Sequence, residues 1–203
     1  MEFLAEVIES SGVLLYPLVL LLLWGVVIIL IKAAQLRRAR TINPEVIDKV
    51  EQLLLSKKIP EATAYCKQNS VPMTRILLAG IINYEKSESD LKEILEEAGR
   101  QEVPLIRSHL AALGTIASVA PLLGLLGTVV GMIDVFSTLS QQTEVNPTML
   151  AGGISTALVT TAFGMVIAMP TLASYNYFIA KVQTLIIEME KISLHMVAVL
   201  KRV

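Results

Sequence analysis

The stretch 114-GTIASVAPLLGLLGTVVGMI-133 decides how this chain is read. It sits inside a longer uncharged run from Ser108 to Ile133, long enough as a helix to cross a hydrocarbon core of about 30 Å. It is not uniformly greasy. Ala117, Pro121, Gly124, Thr128 and Gly131 recur at +4, +3, +4 and +3, so a helix places them on one face. Gly127 and Gly131 form a G-x-x-x-G spacing, which lets two helices approach closely.

A second stretch, 154-ISTALVTTAFGMVIAMP-170, has the same character: Ala157, Thr161, Gly164 and Ala168 share a face, with Thr156 and Thr160 beside them. It lies in an uncharged run from Val145 to Ala180, 36 residues that would reach about 54 Å as one helix. That exceeds one bilayer core, so Val145-Asn146-Pro147 reads as loop and the helix continues past the membrane. A third run, Val13–Ile31, holds Leu, Val and Ile around Trp24 and has no small-residue face, so it reads as an outer wall.

The charges fall where these runs leave room. Hydrophobic residues make up 54% of the 203 and charged ones 17%. Mean hydropathy is +0.63. A soluble domain carries about 25% charged residues. All 17 Lys and Arg lie in 32–107 and 181–202, the first interval holding 13 of them and 11 of the 18 acids. The N-terminus carries Glu2, Glu6 and Glu9 and no basic n-region, which argues against a signal peptide. Lys32, Arg37, Arg38 and Arg40 follow the first run, while the connection near Glu144 has no Lys or Arg. Basic segments stay cytoplasmic.

The expected fold is therefore an all-α membrane protein with three transmembrane helices, N-terminus out and C-terminus in. The divisions are a periplasmic N-terminus (1–12), span one (13–31), a helical cytoplasmic domain (32–107), span two (108–138), a periplasmic loop (139–147), span three (148–180) and a cytoplasmic amphipathic helix (181–203). Spans two and three are expected to extend as long helices into the cytoplasmic domain. Asn43-Pro44-Glu45 reads as a helix start, with Val46, Val50, Leu53 and Leu54 at helical spacing. Pro60 and Pro72 open two more helices. Ser87-Glu88-Ser89-Asp90 caps a long helix read as feeding directly into span two, with a kink at Pro104. In the tail, Val182, Leu185, Ile186, Met189, Ile192, Met196 and Val199 form a stripe that needs a partner, from this chain or a neighbour.

Several functions lose their footing. A net charge of −1 gives no basic surface for nucleic acid. One cysteine, Cys66, and two distant histidines, His109 and His195, offer no metal-ligand spacing, so no metal is expected. No GK[ST] loop is present for ATP and no cofactor motif appears. A membrane protease needs a base beside its nucleophile, and Ser118 and Ser155 have none in sequence, so the chain is not read as an enzyme. The spans carry no mid-membrane acid. Asp134 stands near the outer end of span two. If the chain moves protons, a partner must supply the titrating group.

The two quoted stretches resemble the ExbB/TolQ/MotA proton-channel family, and the three-span layout resembles its ExbB/TolQ branch rather than the four-span flagellar stators. The resemblance implies a homopentamer in a bacterial inner membrane. It would enclose two copies of a single-span ExbD/TolR-type partner whose aspartate carries protons, and rotation around that pair would deliver work to a TonB- or TolA-like protein. On the same resemblance the proton-pathway residues are Thr128 and Thr161, with Thr160, Thr156 and Asp134 near them. Pro121, Gly124, Gly127, Gly131 and Gly164 set helix packing and pore shape. Relatives commonly carry Glu where this chain has Thr156, and Asp134 is a candidate replacement for that acid. The resemblance leaves open the output (uptake, envelope maintenance or gliding- or flagellar-type motility) and the ion, proton or sodium. A small-molecule transporter is the alternative from another class. It would show internal repeats or broken helices at a midplane site, and neither is evident.

Overall fold

The computed structural model describes residues 15–36, 41–140 and 147–202. Glu2, Glu6, Glu9, Arg37, Arg38, Arg40, Glu144 and Asn146 lie outside the described residues. Among the described residues the chain forms helices and no strand. In chain order these are α1 (Leu15–Gln35), α2 (Pro44–Leu55), α3 (Ile59–Gln68), α4 (Pro72–Ile82), α5 (Glu88–Arg107), α6 (Leu110–Leu139) and α7 (Pro147–Leu200). α1, α6 and α7 are each long and apolar enough to cross a membrane. The chain divides into two compact units: Met1–Leu30 with His109–Asn176, and Ile31–Ser108 with Tyr177–Val203.

In the first unit, α1 lies against α6 and α7. Leu18 is fully buried with Ala120, Ile167 and Ala168, and Leu21 and Leu123 pack beside them. Gly25 brings the α1 backbone to Ile116 and Thr171, each 3.7 Å from where a Cβ would stand. Outward, the unit is apolar: Tyr16, Leu20, Leu23 and Trp24 on α1, Leu122, Ile133 and Phe136 on α6, and Leu158, Val166 and Met169 on α7 are exposed. A soluble monomer does not present that much continuous apolar surface.

The second unit is a helical bundle. Pro44 and Pro72 stand at the starts of α2 and α4, and Pro60 in the first turn of α3, positions where a missing N–H leaves no intrahelical bond unmade. The α2 start differs from a standard side-chain cap. Asn43 takes a left-handed backbone (φ 41) and its side chain makes no cap bond. The face that α2 buries is Val46, Ile47, Val50 and Leu54; Ile47 replaces the expected Leu53, which is half-buried. Ser87 does cap α5, its Oγ accepting the Asp90 N–H at 3.2 Å. The tail stripe of α7 finds its partner within the chain. Val182, Leu185, Met189, Met196 and Val199 are buried. Leu200 and Leu95 close on Gly80, where a Cβ would come within 3.3 and 2.9 Å of them. His195 Nε2 lies 3.0 Å from Glu51 Oε1 on α2, and Lys201 Nζ donates to the Lys86 carbonyl.

Two polar devices hold this bundle. Arg75 on α4 forks onto Glu102 on α5, Nε to Oε1 at 2.6 Å and Nη2 to Oε2 at 2.5 Å. Glu102 is buried, so the fork supplies the countercharge that burial requires. The other device is Lys32, 1% exposed, whose Nζ donates to the Ile106 carbonyl (3.1 Å), Ser108 Oγ (3.2 Å) and Gln35 Oε1 (3.1 Å). Ile106 is in the last turn of α5, where carbonyls lack intrahelical partners and a cation is favoured.

The join between α5 and α6 corrects the sequence reading. Span two does not continue into the second unit as one helix. Pro104 lies within α5, which carries on to Arg107. The interruption is at Ser108, extended at ψ 148, and His109, left-handed at φ 62. Pro104 lacks the N–H that the Arg100 carbonyl would use, which weakens the turn but does not end the helix. The helix ends at the Ser108–His109 backbone, and the Lys32 ammonium, 74 residues away in sequence, donates to the Ile106 carbonyl in its last turn. α7, in contrast, runs unbroken for 54 residues through Pro170.

Two outcomes follow. Arg75→Ala leaves Glu102 buried without its fork and should lower stability by about 2 kcal/mol in denaturant unfolding of the second unit's helices, with Arg75→Met/Glu102→Leu recovering most of it. Cys66 is buried and its thiol is pushed up to about 11 by desolvation. At pH 8 the folded chain should therefore resist N-ethylmaleimide that labels it readily after unfolding, as followed by mass shift.

Candidate functional site between α6 and α7

α6 and α7 in the first unit are apolar nearly all round, so no hydrophobic stripe can orient one against the other. Shape has to do it. The small residues meet in a seam. A Cβ on Gly164 would lie 2.6 Å from the Ala120 carbonyl oxygen and 3.1 Å from Gly124 Cα. One on Gly124 would lie 3.0 Å from Thr161 Cα, and one on Gly127 2.4 Å from Thr160 Cγ2. Farther along, Gly131 faces Ala157 Cβ at 2.9 Å and Gly153 faces Val135 Cγ2 at 2.1 Å. As the α6 number rises from Ala120 to Val135, its α7 neighbour falls from Gly164 to Gly153, so the helices are antiparallel with their backbones in contact. Ordinary side chains at these glycines would force them apart.

The seam is turned from the face chosen on sequence. On α6 it runs Ala120, Gly124, Gly127, Gly131; Gly124, Gly127 and Gly131, with Gly164 opposite, belong to the expected packing residues, while Ala120 takes the place of Ala117. Pro121 and Thr128, half-buried, stand on its flank. Ala120, Val135 and Gly153 were not singled out by spacing. The signal for Ala120 was a +4, +3, +4 run equal in quality to the one starting at Ala117. The small residues of the two helices cover each other.

The hydroxyls are bonded in different ways. Thr161 Oγ1 donates across the seam to the Gly124 carbonyl at 2.8 Å. Thr160 Oγ1 donates to the Thr156 carbonyl one turn back at 3.2 Å, and its methyl covers Gly127. Thr128 Oγ1 donates to the Leu125 carbonyl at 2.7 Å. Thr156 is half-buried. Asp134 is exposed, and its backbone carbonyl accepts from Ser137 Oγ and Thr138 Oγ1, both at 3.0 Å.

Helical geometry sorts these residues onto two flanks. At 3.6 residues per turn, Thr128 and Asp134 lie about 120° apart on α6, on opposite sides of the seam. On α7, Thr161 falls on the flank of Thr128 and Thr156 on that of Asp134. Ile116, Leu123 and Ile167, which lie toward α1, share the Asp134 flank. Thr128, Thr161 and Pro121 thus border the side away from α1. Asp134 and Thr156 lie on the α1 side, within about one helical turn of each other in height. Among the described residues no group of three His, Cys, Asp or Glu side chains could hold a metal.

Residues 68–191 match the model of the MotA/TolQ/ExbB proton channel family. The chain is 36% identical over 177 residues to a putative biopolymer transport protein ExbB-like 3 of Synechocystis, covering 83% of this chain and 81% of that one. It is 28% identical over 190 residues to a putative biopolymer transport protein ExbB homolog of Methanothermobacter thermautotrophicus, covering 93% and 66%. It is 38% identical over 79 residues to the Tol-Pal system protein TolQ of Haemophilus influenzae, covering 39% and 35%.

The seam separates glycines that must stay from one that need not. Gly164→Ala drives a Cβ into the Ala120 carbonyl, a backbone atom that cannot rotate away, and should cost about 2 kcal/mol or more. Gly152 has nothing within 4 Å of its Cβ position, so Gly152→Ala should stay within about 0.5 kcal/mol of wild type. Thermal unfolding in detergent, with yield of folded protein, checks both.

Proposed function

The chain belongs to the MotA/TolQ/ExbB proton channel family, and from that premise we propose that it is the channel subunit of an inner-membrane motor coupling ion flow to work on a periplasm-spanning protein. The observation that carries this reading is the α6–α7 seam. It is closely packed and lined with hydroxyls, yet both apolar runs, Ser108–Ile133 and Val145–Ala180, lack any Asp, Glu, Lys or Arg. Hydroxyls can order water and accept or donate hydrogen bonds, but they do not titrate near neutral pH. A proton crossing here needs a carboxylate from another chain. The flank bordered by Thr128, Pro121 and Thr161, away from α1, is where such a helix would lie.

In this reading α1, α6 and the first part of α7 are three spans, N-terminus outside and C-terminus inside, and the second unit is cytoplasmic. Five copies enclose two single-span ExbD/TolR-like helices, each bringing an intramembrane aspartate. Thr161 and Thr128 present oxygens to that aspartate. The names of the relatives, biopolymer transport proteins and a Tol-Pal component, support an output through a TonB- or TolA-like protein. Asp134 supplies part of the acid that relatives carry at the Thr156 position. The two residues share a flank and nearly a height, which is what such an exchange requires.

Co-reconstitution with the partner, read as proton flux in proteoliposomes alongside native mass spectrometry, tests the scheme. The complex should weigh as five plus two. Thr161→Val should retain that mass and lose about tenfold or more in flux, while Thr161→Ser, which keeps the hydroxyl, should retain most of it. Full flux in the valine variant would remove Thr161 from the pathway. Asp134→Asn should lower flux severalfold, and Asp134→Asn/Thr156→Glu should restore it. Failure of that rescue would end the exchange idea.

A further inference from the structure

The second unit contains a cavity of about 270 Å³ lined by Gln35, Leu36, Thr41, Pro72, Arg75, Leu105, Ile106 and Ser108. No Asp or Glu is among them. Three of these residues, Gln35, Ile106 and Ser108, supply the oxygens that accept from Lys32 Nζ. The buried ammonium therefore stands directly behind the cavity wall. Its acceptors are all uncharged, and among the described residues no carboxylate lies within 4 Å of it. Arg75 borders the same space. Its charge is met by Glu102, which does not line the cavity, so among the described residues the charge left without a counter-ion there is that of Lys32.

A buried cation satisfied by dipoles alone is stabilised further by any anion that can reach it, because the low-dielectric surroundings screen little. The cavity is far larger than one water needs. Its wall carries donors suited to oxyanions: the Ser108 and Thr41 hydroxyls, the Gln35 amide and the Arg75 guanidinium. We propose that this cavity binds a phosphate-type oxyanion, carried by an anionic lipid headgroup or free in solution. The lipid source rests on the topology proposed above, which puts the polar end of α1 at the cytoplasmic membrane surface, where anionic headgroups concentrate. The site would tie the end of α1 and the cap of α5 to one ligand.

The test uses the full chain, delipidated in detergent and titrated with phosphatidylglycerol, phosphatidylcholine or inorganic phosphate, with bound adducts counted by native mass spectrometry. Phosphatidylcholine carries the same phosphodiester with a compensating cation. Phosphatidylglycerol should bind about tenfold more tightly, the scale of one opposite charge held nearby in a poorly screened site. Lys32→Met should abolish that preference. Gln35→Leu, which leaves Lys32 two of its three acceptors and should keep wild-type helix content by circular dichroism, should weaken binding severalfold. Displacement by inorganic phosphate, or binding of phosphate alone that needs Lys32, supports the site and assigns its ligand to solution. Equal binding of the two lipids with no Lys32-dependent phosphate binding, or full phosphatidylglycerol binding in both variants, overturns it. Proton flux is read separately: a chain that binds the anion but never conducts fails the channel reading and leaves this site standing.

Discussion

The contact between Gly164 and the backbone at Ala120 and Gly124 is the constraint on which the first unit depends. Within lipid there is no hydrophobic gain in pressing one apolar helix against another, so association must come from close van der Waals fit and the few polar contacts that fit allows. The missing Cβ at Gly164 and Gly124 lets the backbones touch. That closeness is also what brings Thr161 Oγ1 within 2.8 Å of the Gly124 carbonyl, a bond unavailable to helices held apart by larger side chains. The same feature that packs the pair thus fixes a hydroxyl at the seam.

The second unit is stabilised by a different physics. It buries ordinary apolar side chains from α2 to α5 and the tail of α7, and it spends polar contacts on two particular places. The Arg75–Glu102 fork neutralises a buried carboxylate between α4 and α5. Lys32 closes the end of α5 from a distant point in the chain. That cap coincides with the boundary between the two units at Ser108–His109. The helix ends where its last carbonyls find a cation and where the next residue takes a left-handed conformation, rather than at the proline three residues earlier in the helix.

Much of this was legible in the sequence because the signals were local. Uncharged runs of bilayer length, segregated Lys and Arg, and helix starts at Pro44, Pro72 and Ser87 each depend on neighbouring residues only. The tail stripe was legible as a stripe, but not its partner. The failures share a cause. Asn43 reads as a side-chain cap by type, yet its backbone conformation removes the geometry for one. The span-two helix reads as continuous because Pro104 is the visible breaker, while the actual break is at Ser108–His109, where the backbone turns left-handed and the last-turn Ile106 carbonyl is met by Lys32, far away in sequence. The seam glycines Gly124, Gly127, Gly131 and Gly164 are legible from type and spacing, but their partners on the facing helix are not, because glycine and alanine are so frequent in α6 that registers starting at Ala117 and at Ala120 compete.

By itself the sequence determined which segments are apolar, which are charged and which are helical, and it carried the family motifs, because composition and periodicity act over a few turns of chain. The tertiary structure decided which small residues face each other, that Thr161 bonds to another helix while Thr160 and Thr128 bond within their own, and that Asp134 and Thr156 stand on one flank. Those outcomes depend on the rotation of one helix against another, a quantity that no local pattern specifies when a helix is apolar on every side.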